Sequence, residues 1–209
     1  MRGFLLSNLY SIERSVKGYT LLSIVVMTIL LMTNNATALK ISLFLPIVWI
    51  ATTALETLKH DGESGWNKYE ITLPVKRAHI IKSKYFTFLL LVILGIVVTT
   101  LTMLAISLLG FFHFTFTSFN YIGRGVAMAL CAGALAYPLT YILGTKKSDT
   151  VILSSIGFSI GMWLLLGSLF SLSGQNSDEI FAVIHVVVSV LCFTLSYFVC
   201  RVIYSRKEF

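Results

Sequence analysis

The chain has 209 residues, of which 56% are hydrophobic and 12% charged, and its mean hydropathy is +0.87. A soluble domain carries about 25% charged residues; this chain has too little polar surface to cover a water-soluble globule, which excludes a cytosolic or secreted enzyme. The formal net charge of +7 is spread over short segments between apolar runs, as in a protein that anchors on anionic lipid, and forms no nucleic-acid footprint.

In chain order, the first segment is residues 1–18. Leu5, Leu9, Ile12, Val16 and Tyr19 recur on one helical stripe, with Ser7, Ser11, Arg14, Ser15 and Gly18 opposite. That pattern predicts an amphipathic helix lying in the membrane interface. Uncharged gaps then mark the crossings: 22 residues between Lys17 and Lys40, 21 between Arg124 and Lys146, 28 between Asp149 and Asp178, 21 between Glu179 and Arg201. Each holds one helical span of about 20 residues. Six transmembrane helices are predicted, at about 19–36, 40–58, 85–110, 121–144, 150–172 and 180–203. Barrel-type alternation is absent, so the fold class is an all-α integral membrane protein, with residues 1–209 as one transmembrane domain.

The basic residues orient it. Fourteen of the sixteen Lys and Arg fall on one side of this arrangement, and only Lys40 and Arg124 on the other. The positive-inside rule places both termini in the cytoplasm.

Several residues shape the helices. Pro46 and Pro138 lie inside the second and fourth spans and should kink them. Gly125, Ala129 and Gly133 form a small-residue ladder on the fourth span, and Gly157 and Gly161 a GxxxG on the fifth. Both allow close helix approach, within the chain or between subunits. Gly167-Ser168 weakens the fifth span, so residues 167–175 are expected to form a short re-entrant turn.

Catalytic signatures are missing. The chain has no GxxxxGK[ST] or HExxH motif, so no catalytic residue, bound cofactor or metal is assigned. Cys131, Cys192 and Cys200 read as packing residues, and His185 as an interhelix hydrogen-bonding residue. Glu56 and Arg124 read as charges near helix ends, with Glu56 meeting Lys59 or His60 one turn on. Without paired ionisable groups in the spans, an intramembrane enzyme is disfavoured. If the chain moves a substrate, the energy comes from a partner.

The one sizeable polar stretch is residues 59–84. Trp66, Tyr69 and Leu73 recur on one face of a short helix, with Asp61, Glu63 and Ser64 before it as N-terminal acids and cap. Pro74 ends that helix and starts another over 74–84 that runs into the third span. The product is a helical elbow with an aromatic ridge, which either lies in the lipid interface or meets a partner.

Asp61-Gly62-Glu63-Ser64-Gly65-Trp66, then Tyr69, Leu73-Pro74, Arg77 and Lys84-Tyr85, resemble the signature of ABC-2 type permeases, in the branch of small bacterial subunits similar to exporters of phenol-soluble modulins and antimicrobial peptides. The layout of interfacial helix, six spans and internal loop helix resembles that family over the whole chain. The resemblance implies that residues 59–84 are the coupling segment docking on a separate ATPase, with Asp61, Glu63, Trp66, Tyr69, Leu73, Pro74, Arg77 and Lys84 as its coupling residues. It further implies ATP and Mg on that ATPase and not on this chain, and a second permease subunit, identical or a sister. It also implies an amphipathic or hydrophobic peptide substrate and a bacterial cytoplasmic membrane. The short segment between spans five and six, about 173–179, departs from the family. The alternative reading is a membrane scaffold or immunity protein that uses no ATPase.

Overall fold

A computed structural model describes residues 2–33, 35–72, 77–110, 116–144, 147–172 and 178–206. Among the described residues the elements are seven helices and no strand: α1 Arg2–Met32, α2 Ala36–Glu63, α3 Trp66–Thr72, α4 Arg77–Leu108, α5 Phe116–Leu143, α6 Ser148–Leu172 and α7 Asp178–Arg206. All but α3 are long and apolar enough to cross a membrane, so the six expected spans are present. Local chemistry sets several ends. The Asn35 side chain accepts a hydrogen bond from the Thr37 amide at 2.9 Å and starts α2. Gly65, at φ 72°, makes the left-handed turn that separates α2 from α3.

Two expected boundaries shift. Residues 1–18 do not form a separate interfacial helix, because α1 runs unbroken from Arg2 to Met32. No proline interrupts it, Gly18 meets no crowding, and Lys17 pairs with Glu13 at 2.6 Å in the turn just before the expected junction. The stripe faces protein over most of its length: Ile12 is fully buried, and Phe4 and Val16 pack against the core. At about 1.5 Å per residue, a 31-residue helix is longer than the roughly 30 Å hydrocarbon layer. The second shift is at the other weak point: residues 167–172 continue α6 as regular helix through Gly167-Ser168, and 173–175 lie outside the described residues. Ser168 donates to the Leu165 carbonyl at 2.8 Å within the same helix, so the pair does not open it.

α2 and α5 form the centre. α2 touches α1, α4, α5 and α6, while α5 packs most extensively on α7. Close approach depends on glycine. A Cβ on Gly125 would sit 2.9 Å from the Phe44 Cα, and one on Gly95 2.9 Å from the Ile47 Cα. Gly133 is filled by the Phe88 ring, 2.6 Å from where its Cβ would be, and Ala129 between them is buried. Gly157 and Gly161 have open space around them. Pro46 and Pro138 sit inside α2 and α5, which continue through them.

Where α4, α5 and α7 meet, the core is aromatic. Tyr85 stacks on Tyr137 at 4.5 Å, Phe193 lies 5.0 Å from Tyr85, and Phe88 contacts both Tyr137 and Phe193. The Tyr85 hydroxyl shares a 2.7 Å hydrogen bond with Ser196 and donates to the Cys200 sulfur at 3.1 Å. These bonds satisfy polar groups that would otherwise be costly in a buried cluster.

Candidate functional site: a buried ion cluster under an aromatic elbow

The ends of α2, α5 and α7 and the starts of α1, α4 and α6 gather at one end of the bundle, which carries most of the basic residues. There the 59–84 stretch folds into an elbow. Asp61 and Glu63, expected as N-terminal acids just before the short helix, occupy the last turn of α2, which runs through Gly62 and gives way to the left-handed turn only at Gly65. Ser64, expected as the N-terminal cap of the short helix, is instead the C-cap of α2: its amide and its hydroxyl both donate to the His60 carbonyl, at 2.9 and 2.6 Å, and the hydroxyl accepts from the Trp66 amide at 3.4 Å.

Lys84, two turns into α4, carries its ammonium into the bundle and not into solvent. Its Nζ lies 2.6 Å from Asp61 Oδ2 and 3.5 Å from Glu70 Oε2. All three side chains are buried. One cation thus ties the end of α2, the middle of α3 and the start of α4. The backbone is held as well, since the Tyr137 hydroxyl on α5 donates to the Lys84 carbonyl at 3.2 Å. Arg77, at the start of α4, donates to the Tyr204 and Ser205 carbonyls at the end of α7, at 3.4 and 3.2 Å.

Glu70 is the residue that the sequence reading missed. Burial holds its carboxyl above the usual carboxylate range, Lys84 draws it back down, and the Asp61 charge pushes it up again. Its contact with Lys84 is ionic, and neither of its oxygens is hydrogen-bonded. The signal was Lys84 itself: a lysine at the mouth of an apolar span needs a counter-charge, and only Asp61, Glu63 and Glu70 lie close enough in the chain.

The pinned elbow turns its other face outward. Tyr69 is 57% exposed, and Trp66 lies against it with ring centroids 5.3 Å apart. Leu73, expected on the same ridge, and Pro74, expected to end the helix, lie outside the described residues. Beside Trp66 a cavity of about 410 Å³ opens between α1, the last turn of α2 and α3. Ser7, Asn8, His60 and Glu63 line it, and the Asn8 side-chain nitrogen is buried without a partner. The face is amphipathic, with two adjacent rings and a polar recess.

A family model described as ABC-2 family transporter protein matches residues 3–205. The chain belongs to the ABC-2 transporter family. No curated protein and no solved structure matches it. Six apolar helices and this membership make the ABC-2 protein a multi-pass membrane protein.

The remaining singled-out residues lie elsewhere. At the far end, Arg124 sits over the rings of Tyr121 and Phe181, at 5.3 and 4.9 Å, and Lys40 over Tyr121 at 5.8 Å. His185 is not the interhelix hydrogen-bonding residue expected. It is fully buried, neither ring nitrogen has a hydrogen-bond partner, and it stacks on Phe181 at 5.9 Å. Glu56 forms no ion pair with Lys59, whose ammonium instead bridges to Asp149 on α6 at 2.9 Å. Among the described residues no group of three His, Cys, Asp or Glu side chains is placed to hold a metal.

Proposed function

We propose that this ABC-2 protein is the permease subunit of an ATP-driven exporter in the bacterial cytoplasmic membrane, with its termini and α3 on the cytoplasmic side. The positive-inside count supports that orientation. The observation that carries the reading is the elbow. A seven-residue helix is too short to persist alone. Here it is fastened from beneath by the buried Lys84 cluster, while Tyr69 is exposed and Trp66 lies against its ring at the edge of the recess. A rigid lever with an aromatic tip suits a helix that receives force from a partner.

In this reading the tip and the recess beside it dock on a separate ATPase, which carries ATP and Mg²⁺. The chain itself has no phosphate-binding loop. Closure of the ATPases pushes α3, and the Lys84 cluster passes the displacement to α2 and α4 together, since one ammonium holds both. Two permease subunits, identical or paired with a sister, enclose the path. The substrate class, a hydrophobic or amphipathic peptide, rests on the resemblance to small peptide-exporter subunits.

Purification from native membranes tests the reading. The expected result is an ATPase subunit co-purifying with the permease, and no ATP hydrolysis by the permease once that subunit is stripped away. Recovery of the chain without any nucleotide-binding partner would favour the scaffold or immunity alternative.

A further inference from the structure

On the basic end, but on the side away from Lys84, α1, α2 and α6 leave a cavity of about 590 Å³. Its mouth is closed by the Lys59–Asp149 pair, in which one ammonium meets both carboxylate oxygens at 2.9 Å. One turn farther into the span, Glu56 lines the cavity, with the Tyr19 hydroxyl of α1 against its carboxylate. Glu56 has no ion pair among the described residues, because the nearest ammonium is committed to Asp149. The opposite wall is apolar, made of Ile152, Leu153 and Ile156 on α6. Leu153 is 74% exposed, so this wall opens toward the lipid.

A carboxylate held within a span, in a groove with one apolar wall, favours a ligand that brings a cation and an apolar body together. We propose that this groove binds a lysine-bearing amphipathic peptide from the inner leaflet, its ammonium on Glu56 and its apolar side chains along Leu153 and Ile156. The choice of occupant rests on the peptide-exporter reading above. Charge separates it from a phospholipid. An aminolipid would bring a phosphate next to the carboxylates of Glu56 and Asp149, and Lys59 is already engaged. A peptide ammonium brings no such anion.

The test uses the full chain in phosphatidylcholine nanodiscs, a lipid without a primary ammonium. The probe is a fluorescent leucine–lysine amphipathic helix, compared with the same peptide acetylated on its lysines, and binding is read in excess of empty nanodiscs. Glu56→Gln removes a charge-assisted contact and is expected to weaken the lysine peptide about tenfold, leaving the acetylated peptide unchanged. Leu153→Trp, at an exposed position that tolerates bulk, is expected to fill the groove and weaken both peptides. Equal affinity in wild type and both variants would overturn the proposal. So would loss of peptide binding when phosphatidylethanolamine is added, since the lipid ammonium would then be the occupant. ATPase co-purification is measured in parallel. Charge-dependent peptide binding by a chain that recruits no ATPase would sustain the groove and sink the exporter reading. An ATPase-bound chain indifferent to Glu56→Gln would do the reverse.

Discussion

The two ends of the bundle solve the same problem in different ways. At the basic end the cation Lys84 is buried between two carboxylates, on the turn of α2 and on α3. At the far end Arg124 and Lys40 rest on the faces of Tyr121 and Phe181. Two carboxylates on separate helices fix a lysine from both sides and make those helices move as one body. A ring attracts a cation over a broad face, at about 0.5–2 kcal/mol, and tolerates sliding. The elbow is therefore built to transmit displacement.

The largest effect that would break this comparison comes from Lys84→Met. It leaves Asp61 and Glu70 facing each other without a cation in a buried site, and removing one partner of a buried pair costs roughly 3–5 kcal/mol. Thermal unfolding in detergent should show a strongly lowered midpoint or no folded peak. A near-wild-type midpoint would mean that the elbow is not fastened by this cluster.

A smaller effect separates packed from open glycines. Gly133→Leu drives a side chain into the Phe88 ring, and overpacking of this kind costs about 1–3 kcal/mol. Gly157→Leu enters open space and should leave the melting of the single chain unchanged. Equal losses at both positions would show that the α6 face is covered in the folded subunit.

Lys40→Met gives up the contact with the Tyr121 ring at the far end and should cost about 0.5–1 kcal/mol, well below the loss at Lys84. The same unfolding series ranks the two ends directly.

The smallest effect concerns pH. The folded elbow holds a proton on Glu70 more tightly than the unfolded chain does, because burial raises that carboxyl and Asp61 adds to it against the pull of Lys84. Its contribution to stability is therefore greatest at low pH and falls as pH rises from the ordinary carboxyl value through the raised one. Glu70→Gln should flatten that slope while keeping the Lys84–Asp61 pair. An unchanged slope in the variant would assign the pH dependence to another group.

The six spans were legible because charge is scarce: the uncharged gaps run from 15 to 39 residues, and four of the six, at 21 to 28, admit little but single crossings. The continuity of α1 through residues 18 and 19 was not, since an amphipathic stripe looks alike whether it faces lipid or the neighbouring α2 and α4. Asp61, Trp66 and Tyr69 stood out through residue type and spacing, and Lys84 through the family resemblance. Glu70 did not, because its burial depends on α3 folding back over α4, a tertiary fact that no local period encodes. The two glycine motifs looked equivalent in sequence, yet only the ladder on α5 meets a neighbour, because α6 lies at the edge of the bundle. Glu56 and Lys59 stand at helical pairing distance, but Asp149, ninety residues on, takes the lysine.

The most direct test of the account is the double change Trp66→Ala with Tyr69→Ala in the permease co-expressed with its ATPase. Tyr69 is exposed and Trp66 half-buried beside it, and truncating an anchor of this kind should cost ~2 kcal/mol or more at an interface, so docking should weaken by roughly a thousandfold if the two costs add. Because neither ring belongs to the Lys84 cluster, the permease should still reach the membrane and melt as wild type. The account predicts loss of ATPase pull-down and of transport from a folded permease; normal pull-down with normal export would contradict it.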